Sequence, residues 1–348
     1  GEGGVVNAGF LGSPSGHLPA IEASGVAMFI RAGWQDAATV NGTLGRYMTI
    51  GNPQQVYLGP WDHGARRDAD PFHPDDTPVY PTTDEQFAQM FGFFDRYLKA
   101  GGEPIQSSIT YYTLGADRWT TTTAWPPEGF GNETWYLSGD GLLTTDASRA
   151  NDGADDYVVD YEVTTGRHNR WYTNNGGGGD VVYGDRRAMD ERLLTYTSAP
   201  FREDREITGH PVITLFVRST HEDGLFIAYL EDVAPDGRVT YVTEGQLRGV
   251  MRRISDQPPL YRKLGPHHSQ LRTDAMPLVP GEVAEISFEL WATSVLIREG
   301  HRLRIAIAGA DADTFARYPL DGGTPTITIE RNARNPSRVV LPMSPATR

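Results

Sequence analysis

The sequence predicts an α/β segment followed by a larger all-β segment, with the division at residues 103/104. Three observations carry that expectation. A strand–helix–strand pattern occupies residues 26–58, and an amphipathic helix follows at 84–100. Beyond Glu103-Pro104, short strand-length runs recur without helical periodicity between them.

Val26-Ala27-Met28-Phe29-Ile30 is a continuous apolar run of strand length, the pattern of a strand buried on both faces of a parallel sheet. From Ala37 to Ile50, Val40, Leu44, Tyr47 and Met48 recur at helical spacing, although Gly42 and Gly45 weaken the helix. Asn52-Pro53 ends it, and Gln55-Val56-Tyr57-Leu58 is a second strand that closes on Gly59-Pro60. Such a βαβ unit crosses over right-handed, so both strands end at the same edge of the sheet. In the next helix Thr83 is the expected cap, with Gln86 three residues on. Phe87, Met90, Phe91, Phe94 and Leu98 form its apolar stripe, and Gly101-Gly102 ends it.

The all-β expectation rests on Ile109–Leu114, Thr134–Leu137, Tyr157–Tyr161, Leu193–Tyr196, Val212–Val217, Leu225–Leu230, Val239–Val242, Ala284–Leu290, Leu303–Ala308, Thr326–Ile329 and Val339–Leu341. Ile286, Phe288 and Leu290 alternate with Glu285, Ser287 and Glu289, the period of a half-buried antiparallel strand. Asp236-Gly237 marks a hairpin turn between Ala228–Val233 and Val239–Thr243. Many short strands without interleaved helices suggest a β-sandwich of the jelly-roll type, and the lack of a fixed repeat argues against a propeller. Asn174-Asn175-Gly176-Gly177-Gly178-Gly179 reads as a flexible loop.

Composition narrows the function classes. A formal net charge of −14 without a Lys/Arg cluster argues against a nucleic-acid partner. The absence of cysteine excludes disulfides, thiolate catalysis and Cys-ligated zinc. No apolar run approaches the ~20 residues of a membrane-spanning helix. The chain starts at Gly1-Glu2-Gly3-Gly4, which reads as an internal start produced by processing or trimming; it leaves the compartment open.

Two loops carry the chemistry: Gly33-Trp34-Gln35-Asp36 and Gly59-Pro60-Trp61-Asp62-His63-Gly64. The βαβ unit brings them side by side at the sheet edge where open α/β sheets bind ligands. An imidazole oriented by a carboxylate can take the proton of a nucleophile, help worth roughly 10²–10⁴ in rate. Asp36 and His63 are therefore the candidate acid and base; the bland alternative is a hydrogen-bonded loop pair without chemistry. Asp62 is a rival acid, but adjacent side chains in a tight turn rarely meet, so it reads better as a loop hydrogen-bonder. Trp34 and Trp61 either line an acyl pocket, binding substrate, or pack beneath the loops. Asp68, Asp70, Asp75 and Asp76, and Asp311 with Asp313, could hold calcium but lack EF-hand spacing, and solvated loops are the expectation. His267-His268 lacks a third ligand at a sensible spacing and reads as a surface pair.

The GWxD pattern of Gly33–Asp36 and the GPWxHG pattern of Gly59–Gly64 resemble signatures of the cocaine esterase/X-Pro dipeptidyl-peptidase (CocE/NonD-like) family of serine hydrolases. Downstream, Trp125-Pro126-Pro127, Leu194–Ser198, Pro235-Asp236-Gly237 with Thr243-Glu244-Gly245, and Gly309–Pro319 resemble its C-terminal domain, in the family's order. The resemblance implies the C-terminal portion of an α/β-hydrolase domain at residues 1–103. It also implies a galactose-binding-like jelly roll at 104–348. By that match Asp36 is the triad acid and His63 the triad base. The nucleophilic serine and the oxyanion tyrosine would belong to an earlier part of the family's layout, ahead of a helical cap. Gly12-Ser13-Pro14-Ser15-Gly16 fits G-x-S-x-G in letters, but Pro14 and Pro19 disrupt the strand–turn–helix that an elbow needs. Ser15 also precedes Asp36 too closely for the intervening elements, and reads as a turn residue.

The expected activity is cleavage of a small ester, amide or peptide-like substrate through an acyl-enzyme, with no metal or organic cofactor. The expected partner is an upstream fragment of the same protein carrying the serine, without which the chain alone is inactive; a homo-oligomer is compatible with this. The alternative, from another class, is a non-catalytic carbohydrate-binding β-sandwich with a relic hydrolase segment.

Overall fold

The computed structural model describes residues 13–37, 39–99, 103–172, 180–320 and 322–346. The expected loop at Gly176–Gly179 and the helix stop at Gly101-Gly102 lie outside the described residues.

The N-terminal part builds a four-stranded sheet from β1 (Met28–Gly33), β2 (Gln54–Gly59), β3 (Ser108–Thr113) and β4 (Arg118–Thr122), in that order. β1, β2 and β3 run parallel, and β4 returns antiparallel to β3. The helix Val40–Thr49 makes the crossover from β1 to β2 and buries Val40, Thr43, Leu44 and Gly45. Gly33 stands opposite Gly59, so the loops that follow both strands begin side by side.

β1 differs from its expectation. It starts two residues later, and Met28–Arg31 are half-buried rather than buried on both faces. The cause is its position: β1 is the outer strand, paired only with β2 among the described residues. The sheet also draws β3 and β4 from beyond residue 103, so sheet membership and the expected 103/104 division do not coincide.

The helix Thr83–Leu98 is capped one residue earlier than expected. The Thr82 hydroxyl accepts from the Glu85 backbone N–H, and the Glu85 carboxylate accepts from the Thr82 N–H, a reciprocal capping box. Its inner face is also different. Gln86 and Phe93 are buried, whereas Phe87, Phe91, Phe94 and Leu98 of the apolar stripe are exposed, Phe91 by 59%. Gln86 is drawn inward by polar bonds: its amide donates to the carbonyls of Ala65 and Pro81 and accepts from Arg31.

Among the described residues, the remaining strands form a thirteen-stranded, largely antiparallel sheet system. Every strand-length run expected beyond Glu103 overlaps an observed strand. Arg118–Thr122, Leu142–Thr144, Arg205–Gly209 and Thr293–Ile297 are additional strands, each of five residues or fewer. The Asp236-Gly237 turn joins Leu225–Val233 to Val239–Arg248, with Gly237 at φ +86°. One apolar core runs through both parts, from Val40, Leu44 and Leu58 to Ile207, Leu215 and Val295. Leu114, just past β3, ties them by backbone bonds: its N–H donates to the Ser294 carbonyl and its carbonyl accepts from Leu296 N–H.

Candidate active site

The two loops are zipped together before any side chain is considered. Trp34 N–H donates to the Gly59 carbonyl at 2.8 Å, and Gln35 N–H to the Trp61 carbonyl at 3.2 Å. Gly33 permits this approach, because a Cβ there would fall far inside contact distance of the Trp61 carbonyl oxygen. The same holds at Gly59, whose missing side chain leaves room for the Trp61 ring.

That framework joins the two residues singled out by the sequence. His63 Nδ1 lies 3.0 Å from Asp36 Oδ2. The Thr39 hydroxyl donates to the same oxygen at 2.6 Å. Asp36 is buried, its side chain only 4% exposed, while the His63 side chain is 51% exposed. A carboxylate on Nδ1 leaves Nε2 as the nitrogen able to accept a proton, and no described residue hydrogen-bonds it. The pair opens on a cavity of about 280 Å³ whose lining includes Arg31, Asp36, Thr39, Asp62 and His63.

Trp34 and Trp61 do not line that cavity. Both are fully buried beneath the loops. Trp34 Nε1–H donates to the Tyr112 carbonyl and its ring packs beside Trp125; Trp61 Nε1–H donates to the Tyr80 carbonyl beside Trp119. The substrate-binding expectation for these two residues is thus replaced by packing: indoles with satisfied N–H groups anchor the loops from below.

Asp62 is a loop hydrogen-bonder. Its Oδ1 accepts from the backbone N–H groups of Arg66 and Arg67, and burial pushes its carboxyl pKa up. Ser15 sits in a 3-10 turn, Pro14–His17, with its hydroxyl 2.7 Å from that of Ser13, and it does not line the His63 cavity.

The acidic clusters are solvated only in part: Asp75, Asp76 and Asp313 are exposed, as expected. Asp68 and Asp70 are instead drawn into a network around His73, whose Nδ1 meets Asp68 at 3.0 Å and Nε2 meets Asp117 at 2.9 Å. The Asp68 and Asp117 bonds raise His73 to about 9, and burial pushes Asp70 up to about 6. Asp70, His73 and Asp117 lie close enough to share an ion, but protein groups already partner each of them. Asp311 is buried and accepts from Thr164, Thr165 and Tyr229. His268 is likewise held between the carbonyls of Arg253 and Ser287.

One positioning residue carried no sequence signal. The buried Arg170 guanidinium donates to the Trp34 carbonyl, and lies 3.4 Å from Gln35 Oε1 and from the Thr243 hydroxyl. Gln35 in turn donates to the Val242 carbonyl at 3.4 Å. The β-rich part therefore grips the acid-bearing loop from behind.

Residues 105–340 match the X-Pro dipeptidyl-peptidase C-terminal non-catalytic domain. The chain belongs to that family. It resembles the C-terminal portion of cocaine esterases and X-Pro dipeptidyl-peptidases. A Mycobacterium bovis protein bearing a serine-esterase name is 42% identical over 98% of this chain and 53% of its own length. The cocaine esterase of a Rhodococcus species is 25% identical over 90% of this chain and 56% of its own. An aminopeptidase structure from a marine-sediment Thaumarchaeota archaeon superposes with TM-score 0.71 at 23% identity, covering 92% of this chain and 55% of that one, a likeness of fold. The chain thus spans about half the length of the curated relatives it matches. Asp36 and His63 lie N-terminal to the matched domain.

Proposed function

We propose that this chain supplies the acid and base of a serine hydrolase, the nucleophile coming from an upstream portion of the same protein. The observation that carries the reading is the 3.0 Å contact between His63 Nδ1 and a buried Asp36 oxygen, at the edge where two parallel strands end. In this mechanism His63 Nε2 takes the serine proton as the hydroxyl attacks the substrate carbonyl. It then gives that proton to the departing alcohol or amine, leaving an acyl-enzyme that water hydrolyses by the same route. Asp36 holds the imidazole tautomer and stabilises the imidazolium. The relatives' names, esterase and peptidase, support an ester or amide bond of a small acyl or peptide-like substrate.

The β-rich part is read here as a jelly-roll sandwich that covers one side of the cleft and, through Arg170, steadies the acid loop. The upstream portion would also cover the apolar face of Phe87, Phe91, Phe94 and Leu98. The test is labelling with a fluorophosphonate probe in the full-length protein or a reconstituted complex. Labelling abolished by His63→Ala is expected; labelling that survives it overturns the base assignment, and failure of the unmutated protein to label favours a non-catalytic binding role. Purified chain alone is expected to turn over no ester. Turnover by that chain, cancelled by Asp36→Asn, would refute the need for an upstream nucleophile.

A further inference from the structure

Thr39 holds the N-cap position of the helix Val40–Thr49, yet its side chain makes no cap bond to that helix. A threonine at this position ordinarily accepts from a backbone N–H of the first turn, which stabilises the helix. Here the hydroxyl is turned the other way. It donates to Asp36 Oδ2 at 2.6 Å, the same oxygen that meets His63 Nδ1 at 3.0 Å. At that length an O–H···O contact to a carboxylate is of the charge-assisted kind, stronger than one between neutral groups.

The other oxygen gives the carboxylate no hold. Asp36 Oδ1 is buried and has no hydrogen-bond partner among the described residues, so both bonds that orient the group pass through Oδ2. Of the two partners His63 is the looser, being half exposed. Thr39 is the firmer. Its carbonyl accepts from the Thr43 N–H at 2.9 Å, which ties it to the helix. Its branched side chain is also stiff about χ1, so the hydroxyl is presented from a fixed point. Thr39 lines the cavity on which His63 opens.

We infer that Thr39 is a positioning residue: its hydroxyl pins the Asp36 carboxylate with Oδ2 on His63 Nδ1, and so selects the tautomer whose Nε2 is free to take a proton. This deepens the serine-hydrolase reading and rests on it. Thr39 acts on the imidazole only through Asp36. It shares its hydrogen with the carboxylate and passes it to nothing, so the proton count of the reaction is unchanged. Without the hydroxyl the carboxylate is free to turn, and the neutral ring can then carry its proton on either nitrogen. The competing account is a local turn bond that steadies the loop and does nothing to His63.

The experiment compares Thr39→Val, which keeps the shape and removes the hydroxyl, with Thr39→Ser, which keeps the hydroxyl. In this chain, ring-nitrogen NMR of neutral His63 reads the tautomer and needs no nucleophile. A single Nδ1–H tautomer is expected for the unmutated chain and for Thr39→Ser, and a mixture for Thr39→Val. In the full-length protein, Thr39→Val should lower kcat for an ester about ten- to hundred-fold with KM held within about two-fold, as loss of one hydrogen bond to a charged group implies. Thr39→Ser should restore most of that loss. Made on top of Asp36→Ala, Thr39→Val should cost nothing further, because the group it holds is gone. Should Thr39→Val fail to fold, Thr39→Ala takes its place in each comparison. An unchanged tautomer without the hydroxyl overturns the proposal. So does an equal fold-loss of kcat with and without the Asp36 carboxylate, the mark of a merely structural role. If the tautomer shifts but the unmutated full-length protein takes no fluorophosphonate label, the serine-hydrolase reading fails and the hold of Thr39 on the Asp36–His63 pair stands.

Discussion

Gly33 and Trp61 approach so closely that the Trp61 carbonyl occupies the space where a Gly33 side chain would begin. The obstacle is backbone, which cannot rotate aside. Gly33→Ala should therefore part the two loops and carry Asp36 away from His63. The expected stability loss is about 1–3 kcal/mol, the usual cost of overpacking. On the serine-hydrolase reading, hydrolysis by the full-length protein should fall about 10²-fold, as for a misplacement of about 1 Å at a reacting centre. Thermal midpoints and ester turnover measured together check this. A Gly33→Ala protein with unchanged turnover would mean that the loop spacing is immaterial to the activity.

Asp36→Asn keeps shape while changing what His63 Nδ1 meets. An amide N–H can face the ring, favouring the tautomer that holds its proton on Nε2 and cannot act as base. On the serine-hydrolase reading, kcat in the full-length protein should drop by on the order of 10⁴. Binding of a non-reactive substrate analogue should change little. An effect on binding alone, with kcat preserved, would count against the role of Asp36.

Arg170 is a buried cation whose donors go to Trp34 and Thr243, with Gln35 within reach. Arg170→Met keeps much of the apolar volume but leaves the Trp34 carbonyl without that donor. A loss of about 2–4 kcal/mol in urea unfolding is expected, in line with removing a buried charged partner. Arg170→Lys should rescue little, since a single ammonium cannot reproduce a planar fork of donors. Full rescue by lysine would mean that charge, not geometry, is what Arg170 supplies.

How much of this could be read from the chain varies with the range of the interaction. The βαβ unit was legible because its apolar runs, helical spacing and Asn52-Pro53 stop are local, and its handedness is fixed by general sterics. Asp36 and His63 followed from it. The tryptophans were ambiguous because their burial depends on Tyr112 and Tyr80, which local pattern does not connect to them. Arg170 was invisible: it meets Trp34 across 136 residues and belongs to no motif. The Thr83–Leu98 helix was legible in extent but not in orientation. Its apolar stripe pointed to the wrong inner face because Gln86 is held inside by polar contacts with Arg31 and Ala65, distant along the chain, as well as with the nearby Pro81 carbonyl.

The His73 network predicts a pH dependence of stability with a definite sign. Its bonds to Asp68 and Asp117 raise the folded pKa from an ordinary 6.5 to about 9. A raised histidine contributes stability that is complete below pH 6.5 and lost as pH climbs through about 9. Asp70, raised from 3.8 to about 6 by burial, acts in the same direction at lower pH, its share lost between those values. The thermal midpoint should therefore fall between pH 6.5 and 9, and His73→Gln should flatten that fall. An identical slope in wild type and His73→Gln would remove His73 from the explanation.

On the proposed reading, the exposed stripe of Phe87, Phe91, Phe94 and Leu98 would separate the behaviour of this chain alone from that of a longer protein. Four large apolar side chains on one helix should drive self-association when nothing covers them. Phe91→Glu removes an exposed ring and adds a charge on a helix already stabilised by its Thr82–Glu85 cap. In the isolated chain it should raise solubility and shift the thermal midpoint by less than about 0.5 kcal/mol equivalent, as for surface changes. In the full-length protein the same residue would be buried against upstream polypeptide, and Phe91→Glu should cost about 3 kcal/mol or more, since an unpaired carboxylate is then desolvated. Light scattering on the isolated chain and urea unfolding of both forms measure the difference. Equal, small effects in the two would show that this helix face stays in water, and that the upstream portion packs elsewhere.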